Sequence, residues 1–461
     1  MSQRLTTPKG TRDFFSLELK KRNFLLKVLR DSFKSFNFQE IQTPSFENLS
    51  TLTNKYGEGE DSLMFKILSS GEKINKADIK SLKDGKLTRF ANSLSDKALR
   101  YDLTVPLARF IHQNLNNITF PFKRFQTQLV WRADRPQKGR FREFLQCDVD
   151  IIGEENFLSE VECIKIYDHV FTKLGLPKLV LRINNRQILE GISKIMNLES
   201  LSEISTILDK TDKIGIDGVI NEIKEKGIKP ESVDKLLFFL NINGSNQNKI
   251  DKVREEFNIK NIPTDSINLL EKIINACSQF GLNNIDLEFD LSLARGLGYY
   301  TGTIIEVSSP EKHNLGSIGG GGRYGHLIQK DNPRLSGFGI SFGFDRIFLI
   351  LDELNLFPNL LDSSKSFLFL NFGIDKISNY IHSINKLRQD GIVCDIYPGE
   401  AKIKKQLDYA NKNDIDFVVI IGENELKDDM FKIRDMTKGV ESTYNEIKNL
   451  ADKIKEVSQN G

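Results

Sequence analysis

Groups able to hold an anion crowd into the stretch WRADRPQKGRFREFLQCDVDIIG, Trp131 to Gly153. It opens with Arg132, Arg135, Arg140 and Arg142 around Asp134, and it closes as an alternating run. From Arg140 onward the even positions are Arg140, Arg142, Phe144, Gln146, Asp148 and Asp150, and the odd ones include Leu145, Cys147, Val149 and Ile151. A strand sends alternate side chains to opposite faces. The odd face therefore packs inward. The even face offers guanidinium groups, one aromatic ring, an amide and two carboxylates in a row, which makes it a recognition surface rather than a solvated edge.

Three further arginines stand beside glycines: Arg295 in LARGLGYY, Arg323 in GGGGRYG and Arg346 in FGFDRI. Arg346 falls in the first turn of a helix predicted to begin near Gly343, where free amides and the helix dipole favour anions. Any one of these arginines alone would be read as a surface ion pair of small consequence. Together with Arg132 they form a candidate polyphosphate cradle. The cradle is not a P-loop, because no G-K-[ST] follows the glycines, and GFGISFG lacks the βαβ context of a dinucleotide fingerprint.

Several elements must position these groups. Leu25, Val28, Leu29, Phe33 and Phe36 recur at helical spacing within residues 17 to 36. Pro44 then excludes a central ladder position nearby. Residues 60 to 98 are charged and weakly patterned. LRYDLTVPLARFIHQN predicts a strand end running into a helix, with Pro106 in its first turn. Residues 157 to 173 predict another helix, and 185 to 283 a run of helices with Lys/Glu-rich faces. Strands resume in DLEFDLSLARGLGYYTGTIIEV, followed by a glycine-rich hairpin or loop and then GFGISFGFDRIFLIL. Past a boundary near FPNLLDSSKS, four short apolar strands, FLFLNF, IVCDIY, FVVIIG and MFKIRDM, alternate in part with helices at 374 to 389 and 401 to 413, as in a βαβ-type sheet.

The chain has 461 residues, too many for one core, and this predicts about two to four domains. No apolar run approaches the roughly 18 residues that span a bilayer, and the N-terminus lacks the apolar core of a signal peptide. A cytoplasmic protein is expected. Cys147, Cys163, Cys277 and Cys394 are far apart and form no C-x-x-C pair, which argues against structural zinc and for free thiols. The net charge of +2 makes any nucleic-acid surface local.

PKGTRDF, YDLTVP, RPQKGRFREFLQCDVDIIG, LARGLGYYTG, GGGGRYG and GFGISFGFDR follow one another in the order and arrangement of a known family. Over essentially its full length the chain resembles the histidyl-tRNA synthetases, class II aminoacyl-tRNA synthetases. The segment from KKQLDYANKNDIDFVVIIGENE to FKIRDM resembles their anticodon-binding domain. The resemblance implies an α+β multidomain protein. An antiparallel catalytic core over 1–184 and 285–360 would be interrupted by a helical insertion at 185–284 and followed by an α/β anticodon-binding domain at 365–461. It implies a homodimer whose interface involves the segment around Pro44.

It also implies a reaction: L-histidine and ATP, with Mg2+ on the nucleotide, give histidyl-adenylate, and the acyl group then passes to tRNA(His). Arg132 matches the arginine that bridges the amino-acid carboxylate and the α-phosphate. Arg295 matches the family's arginine at the α-phosphate, where related enzymes place a metal ion. Arg140 and Arg346 match triphosphate contacts, while Phe144 and Asp134 match groups at adenine. Asp102, Thr104 and Gln146 correspond to residues at the α-amino group. Asp150, Tyr300 and Tyr324 correspond to residues around the imidazole, with Tyr299 beside them in the histidine pocket. Arg135 and Gln137 would face the acceptor end of the tRNA. Asp102 and Asp134 stand where glutamate is common, one methylene shorter with the charge kept. A regulatory paralogue that binds histidine without catalysis is the alternative, and it would be expected to lose Arg132, Arg295, Arg346 and the C-terminal domain.

Overall fold

The computed structural model describes residues 5–53, 55, 60–198, 208, 211–225, 228–294, 298–310, 313, 315–329, 334–358 and 365–460. The chain divides into two compact units, Met1–Phe357 and Pro358–Gly461.

The first unit is built on a sheet of eight strands. In chain order its strands are β1 (Gln39–Glu40), β2 (Phe46–Asn48), β3 (Lys66–Ile67), β4 (Lys97–Leu99), β5 (Phe122–Trp131), β6 (Glu143–Glu154), β7 (Leu179–Asn185), β8 (Ile285–Phe289), β9 (Thr303–Ser308), β10 (Ser317–Tyr324) and β11 (Leu335–Phe342). The large sheet runs β1-β5-β6-β11-β10-β9-β7-β8, and β2, β3 and β4 form a small sheet of their own. The six strands from β5 to β7 pair antiparallel, and the edges β1 and β8 add in parallel.

Apolar residues at period two give each sheet face its role. Phe125 on β5 lies opposite Val149 on β6, which lies opposite Ile340 on β11. This face meets the helix Ser16–Ser35 through Phe33, whose ring lies 5.3 Å from Phe125 and 5.5 Å from Phe342. It also meets the helix Leu158–Lys173 through Tyr167, whose hydroxyl donates to the Ser341 carbonyl at 2.7 Å. Between β7 and β8 the described residues form helices at Arg186–Ile195, Thr211–Glu225, Pro230–Leu240, Asn246–Ile259 and Asp265–Phe280. The side chains of Asn185 and Ser245 cap two of them, Pro230 opens a third at its first position, and Gly281 follows the last at φ +70°.

One expectation fails here. The glycine-rich segment is not a hairpin or loop: Ser317–Tyr324 is β10, a buried strand paired on both sides. Glycine is a poor strand former, yet space demands it at these positions. A Cβ on Gly319 would meet the Tyr167 ring at 2.7 Å, and one on Gly322 would meet the Tyr300 ring at 2.8 Å. Packing therefore overrides propensity.

In the second unit, β12 (Ser366–Phe369), β13 (Val393–Ile396), β14 (Phe417–Ile420), β15 (Met430–Asp435) and β16 (Glu441–Asn445) run in the order β13-β12-β14-β15-β16. The first three are parallel and the last two antiparallel. Phe367 and Phe369 enter one core, while Leu368 enters another on the opposite face. That is why these strands read as continuous apolar runs. The polar strand β16, sequence ESTYN, is an addition to the four predicted. No helix among the described residues is long and apolar enough to cross a membrane.

Candidate active site

The second face of the large sheet carries a buried polar row. Strand register puts Gln128 opposite Gln146, Gln126 opposite Asp148 and Arg124 opposite Asp150. On the other side of β6, Gly339 lies opposite Asp150 and Ser341 opposite Asp148. Gln146, Asp148 and Asp150, three of the predicted even positions, are all buried.

Arg124 was missed by the sequence reading and is fully buried. A buried guanidinium needs a counter-charge, and Arg124 finds it in Asp150, with Nη2 to Oδ2 at 2.6 Å. Its Nη1 donates to Gln126 Oε1 at 3.2 Å. Gln126 in turn donates to Thr43 Oγ1 at 2.8 Å and to Gln128 Oε1 at 2.5 Å. Arg100, also missed, donates to the Thr43 and Pro44 carbonyls at 2.7 and 3.1 Å, and burial lowers its pKa to about 10. A readable signal existed for the first of these: FKRFQTQLVW places Arg124, Gln126 and Gln128 two apart, a polar face in an otherwise apolar strand.

Asp150 also accepts a hydrogen bond from the Tyr324 hydroxyl. Burial raises the pKa of Asp150, and Arg124 and the Tyr324 hydroxyl pull it down. Burial, with Asp150 beside it, pushes the Tyr324 phenol well above its usual value, so that it stays a donor. Missing side chains make room for the pair. A Cβ on Gly339 would meet the Asp150 carboxyl carbon at 2.7 Å, and one on Gly337 would meet the Tyr324 ring at 2.6 Å.

Tyr299 links this pair to Asp102. Its ring is edge-on to Tyr324 at 6.2 Å, and its hydroxyl donates to Asp102 Oδ2 at 3.4 Å. Tyr300 lies edge-on to Tyr299 at 4.9 Å. Asp102 Oδ1 accepts from the Val105 amide at 3.2 Å, in the first turn of the helix Thr104–Asn114 that begins with the buried Thr104. Arg132 follows at the end of β5. Its Nε donates to the Tyr101 carbonyl at 2.9 Å, and its guanidinium lies over the rings of Tyr101 at 4.4 Å and Phe144 at 5.4 Å. Contacts thus join Asp102, Asp150, Tyr299, Tyr300 and Tyr324 in one group and Arg132 with Phe144 in another, and the two groups meet at the sequence neighbours Tyr101 and Asp102.

The hairpin between β5 and β6 forms a second group. Arg140 Nη2 pairs with Asp134 Oδ2 at 2.9 Å, and Arg142 Nε donates to the Asp134 carbonyl at 3.1 Å. Arg346 reaches across from the helix Phe344–Glu353, donating to the Gly139 carbonyl at 3.3 Å and the Ser317 carbonyl at 2.5 Å. The PKGTRDF segment ties hairpin to helix, because Arg12 lies 3.8 Å over Phe141 and donates to Asp345 at 3.0 Å. Arg135 and Gln137 are exposed on the hairpin.

Arg295 lies outside the described residues. Arg323 does not join the cradle. It is buried on the opposite sheet face, where Nε donates to Glu160 Oε1 at 2.7 Å, Nη2 bonds the second Glu160 oxygen, and Nη1 donates to Ser336 Oγ at 2.9 Å. Adjacent strand residues point to opposite faces, so Tyr324 enters the site and Arg323 cannot. The four cysteines are free, three of them buried and Cys394 half-buried.

An antiparallel sheet whose polar face carries a carboxylate–phenol pair beside fixed arginines, in a chain that ends in a second unit with its own mixed sheet, is the architecture of a class II aminoacyl-tRNA synthetase. A family model described as histidyl-tRNA synthetase matches residues 80–347, and one described as anticodon binding domain matches 373–457. A histidine–tRNA ligase of Christiangramia forsetii is 46% identical over 447 residues, covering 96% of this chain and 97% of its own. That of Flavobacterium johnsoniae is 43% identical over 460 residues, covering 95% and 97%. The crystal structure of histidyl-tRNA synthetase from Nostoc sp. PCC 7120 matches with a TM-score of 0.74 at 28% identity, covering 99% of this chain and 100% of that one. The chain belongs to the histidyl-tRNA synthetase family.

Proposed function

We propose that this chain activates L-histidine with ATP, giving histidyl-adenylate and pyrophosphate, and then transfers the histidyl group to the terminal ribose of tRNA(His). The observation that carries the histidine reading is the buried Asp150–Tyr324 pair with Arg124 behind it. Imidazole both donates and accepts, and a site that leaves a carboxylate and a phenol unsatisfied rejects apolar analogues.

Activation is attack of the histidine carboxylate on the α-phosphorus of ATP, with pyrophosphate leaving. It requires positioning and positive charge more than a covalent nucleophile. Arg132 bridges the carboxylate and the α-phosphate, and Arg295 stands at the α-phosphate, a role that rests on its sequence motif. Arg140 and Arg346 hold the triphosphate of Mg-ATP, Phe144 stacks on adenine and Asp134 lies near that base. Asp102, Thr104 and Gln146 hold the α-amino group. Asp150, Tyr300 and Tyr324 surround the imidazole, and Tyr299 stands beside them in the histidine pocket, edge-on to both tyrosines.

Arg135 and Gln137, exposed at the hairpin, face the acceptor end of the tRNA, and residues 365–461 engage the anticodon. The enzyme works in the cytoplasm as a homodimer whose interface involves the segment around Pro44. That placement rests on the family resemblance; within the chain, Thr43 and Pro44 connect through Arg100, Gln126 and Arg124 to Asp150.

Removing residues 365–461 tests the division of labour. Histidine-dependent pyrophosphate exchange is expected to stay within about threefold of the full chain, while charging of tRNA(His) falls by about 100-fold or more, given that several phosphate and base contacts are lost together. Equal charging by the shortened and full chains would remove the assignment of the second unit.

A further inference from the structure

Asp148 sits between Gln146 and Asp150 on the polar face of β6, buried, and the roles above leave it unused. Gln146 Nε2 donates to Asp148 Oδ2 at 2.7 Å. The other end of the amide, Gln146 Oε1, is buried with no hydrogen-bond partner, as is Asp148 Oδ1. An ionised carboxylate only accepts, so this contact decides which way round the amide sits. The NH2 group turns toward Asp148 and the carbonyl oxygen turns away from it. An ammonium only donates, and it needs that oxygen. An amide held the other way would oppose donor to donor.

The charges around Asp148 fit the same ligand group. Arg124 makes its ion pair with Asp150, while Asp148 has no ion pair among the described residues. Asp148 is pushed up to about 7, with burial the largest cause; Arg124 opposes it, Asp150 adds to it, and the Ser341 hydroxyl and Gln146 amide oppose it. One guanidinium thus serves two carboxylates. With both ionised, the row carries one negative charge in excess, the complement of a desolvated ammonium.

We propose that Asp148 is a positioning residue: it locks the Gln146 amide with its carbonyl oxygen presented to the α-ammonium of histidine, and so sets affinity for the amino group without touching the ring. This rests on the reading of Gln146 as an α-amino ligand.

Two histidine analogues separate the possibilities. Histidinol keeps the ring and the amino group, and imidazolepropionate keeps the ring and the carboxylate but has no amino group. Both are measured as competitive inhibitors of histidine-dependent pyrophosphate exchange by the full-length enzyme and its variants. For Asp148→Ala, the histidine KM and the histidinol inhibition constant are expected to rise about 10- to 100-fold, the scale of a lost hydrogen bond to a charged group. The KM for ATP and the inhibition constant of imidazolepropionate are expected to move by less than about twofold, since neither ligand presents an ammonium. Asp148→Asn keeps an acceptor and the side-chain volume. It should recover most of the loss while still weakening histidinol about three- to tenfold relative to imidazolepropionate, because its amide also allows the inverted arrangement.

Equal weakening of both analogues by either variant would overturn the proposal, since it would place the effect on the ring or on the fold. So would unchanged binding of both. A wild-type enzyme without histidine-dependent exchange would instead overturn the functional reading, and the proposal with it.

Discussion

Arg132→Ala is expected to lower histidine-dependent pyrophosphate exchange by about 100- to 1,000-fold, the scale of losing one preorganised donor at a developing charge. The fall should lie mostly in kcat. Arg132 is fixed before any ligand arrives, since its Nε is held by the Tyr101 carbonyl and its plane lies over two aromatic rings. Little reorganisation is then required as charge builds on the α-phosphoryl group. Arg132→Lys should recover little, because an ammonium keeps the charge but loses both the planar fork and the Nε contact. A folded Arg132→Ala enzyme with near-normal exchange would remove Arg132 from the chemistry.

The second large effect is on stability. Arg323→Ala is expected to destabilise the first unit by about 3–5 kcal/mol, the usual result of removing one partner from a buried ion pair. Glu160 would lose its counter-charge in a place where burial already raises its pKa. Ser336 and the Asn156 carbonyl would also lose donors. Thermal unfolding should show the loss. The KM for ATP, measured at a temperature where the variant is folded, should stay within about twofold, because the residue lies on the sheet face away from the site. A variant of normal stability with a much weaker KM for ATP would return Arg323 to the phosphate cradle.

That arginine shows where sequence reading loses its grip. On β6, large and polar residues alternate, so period two is visible and the face bearing Gln146, Asp148 and Asp150 could be read directly. On β10, four successive glycines carry no side chains to reveal the alternation. The strand passes for a loop, and the face of Arg323 cannot be assigned. What fixes β10 as a strand is the closeness of Tyr167, Gly339 and Tyr300, none of them near it in sequence. The polar edge strand β16 escapes for a related reason, since neither of its faces repeats an apolar residue. Arg124 escapes because a lone charge in an apolar strand acquires meaning only once register sets it across from Asp150. Helices were the more legible elements. The run near 17–36 buries one stripe, through Leu25, Leu29 and Phe33, and its period survives in the sequence, whereas the helix Leu158–Lys173 is buried on most sides and is legible as a long stretch rich in apolar residues.

In the proposed function, the pocket around Asp150 and Tyr324 selects histidine for activation by ATP. Pyrophosphate exchange by the full-length enzyme, run separately with each of the twenty amino acids, measures both halves of that claim at once. ATP labelling is expected with histidine, and background with the other nineteen. A flat response across the set, in a protein that still binds histidine tightly, would contradict it and favour a regulatory histidine-binding protein.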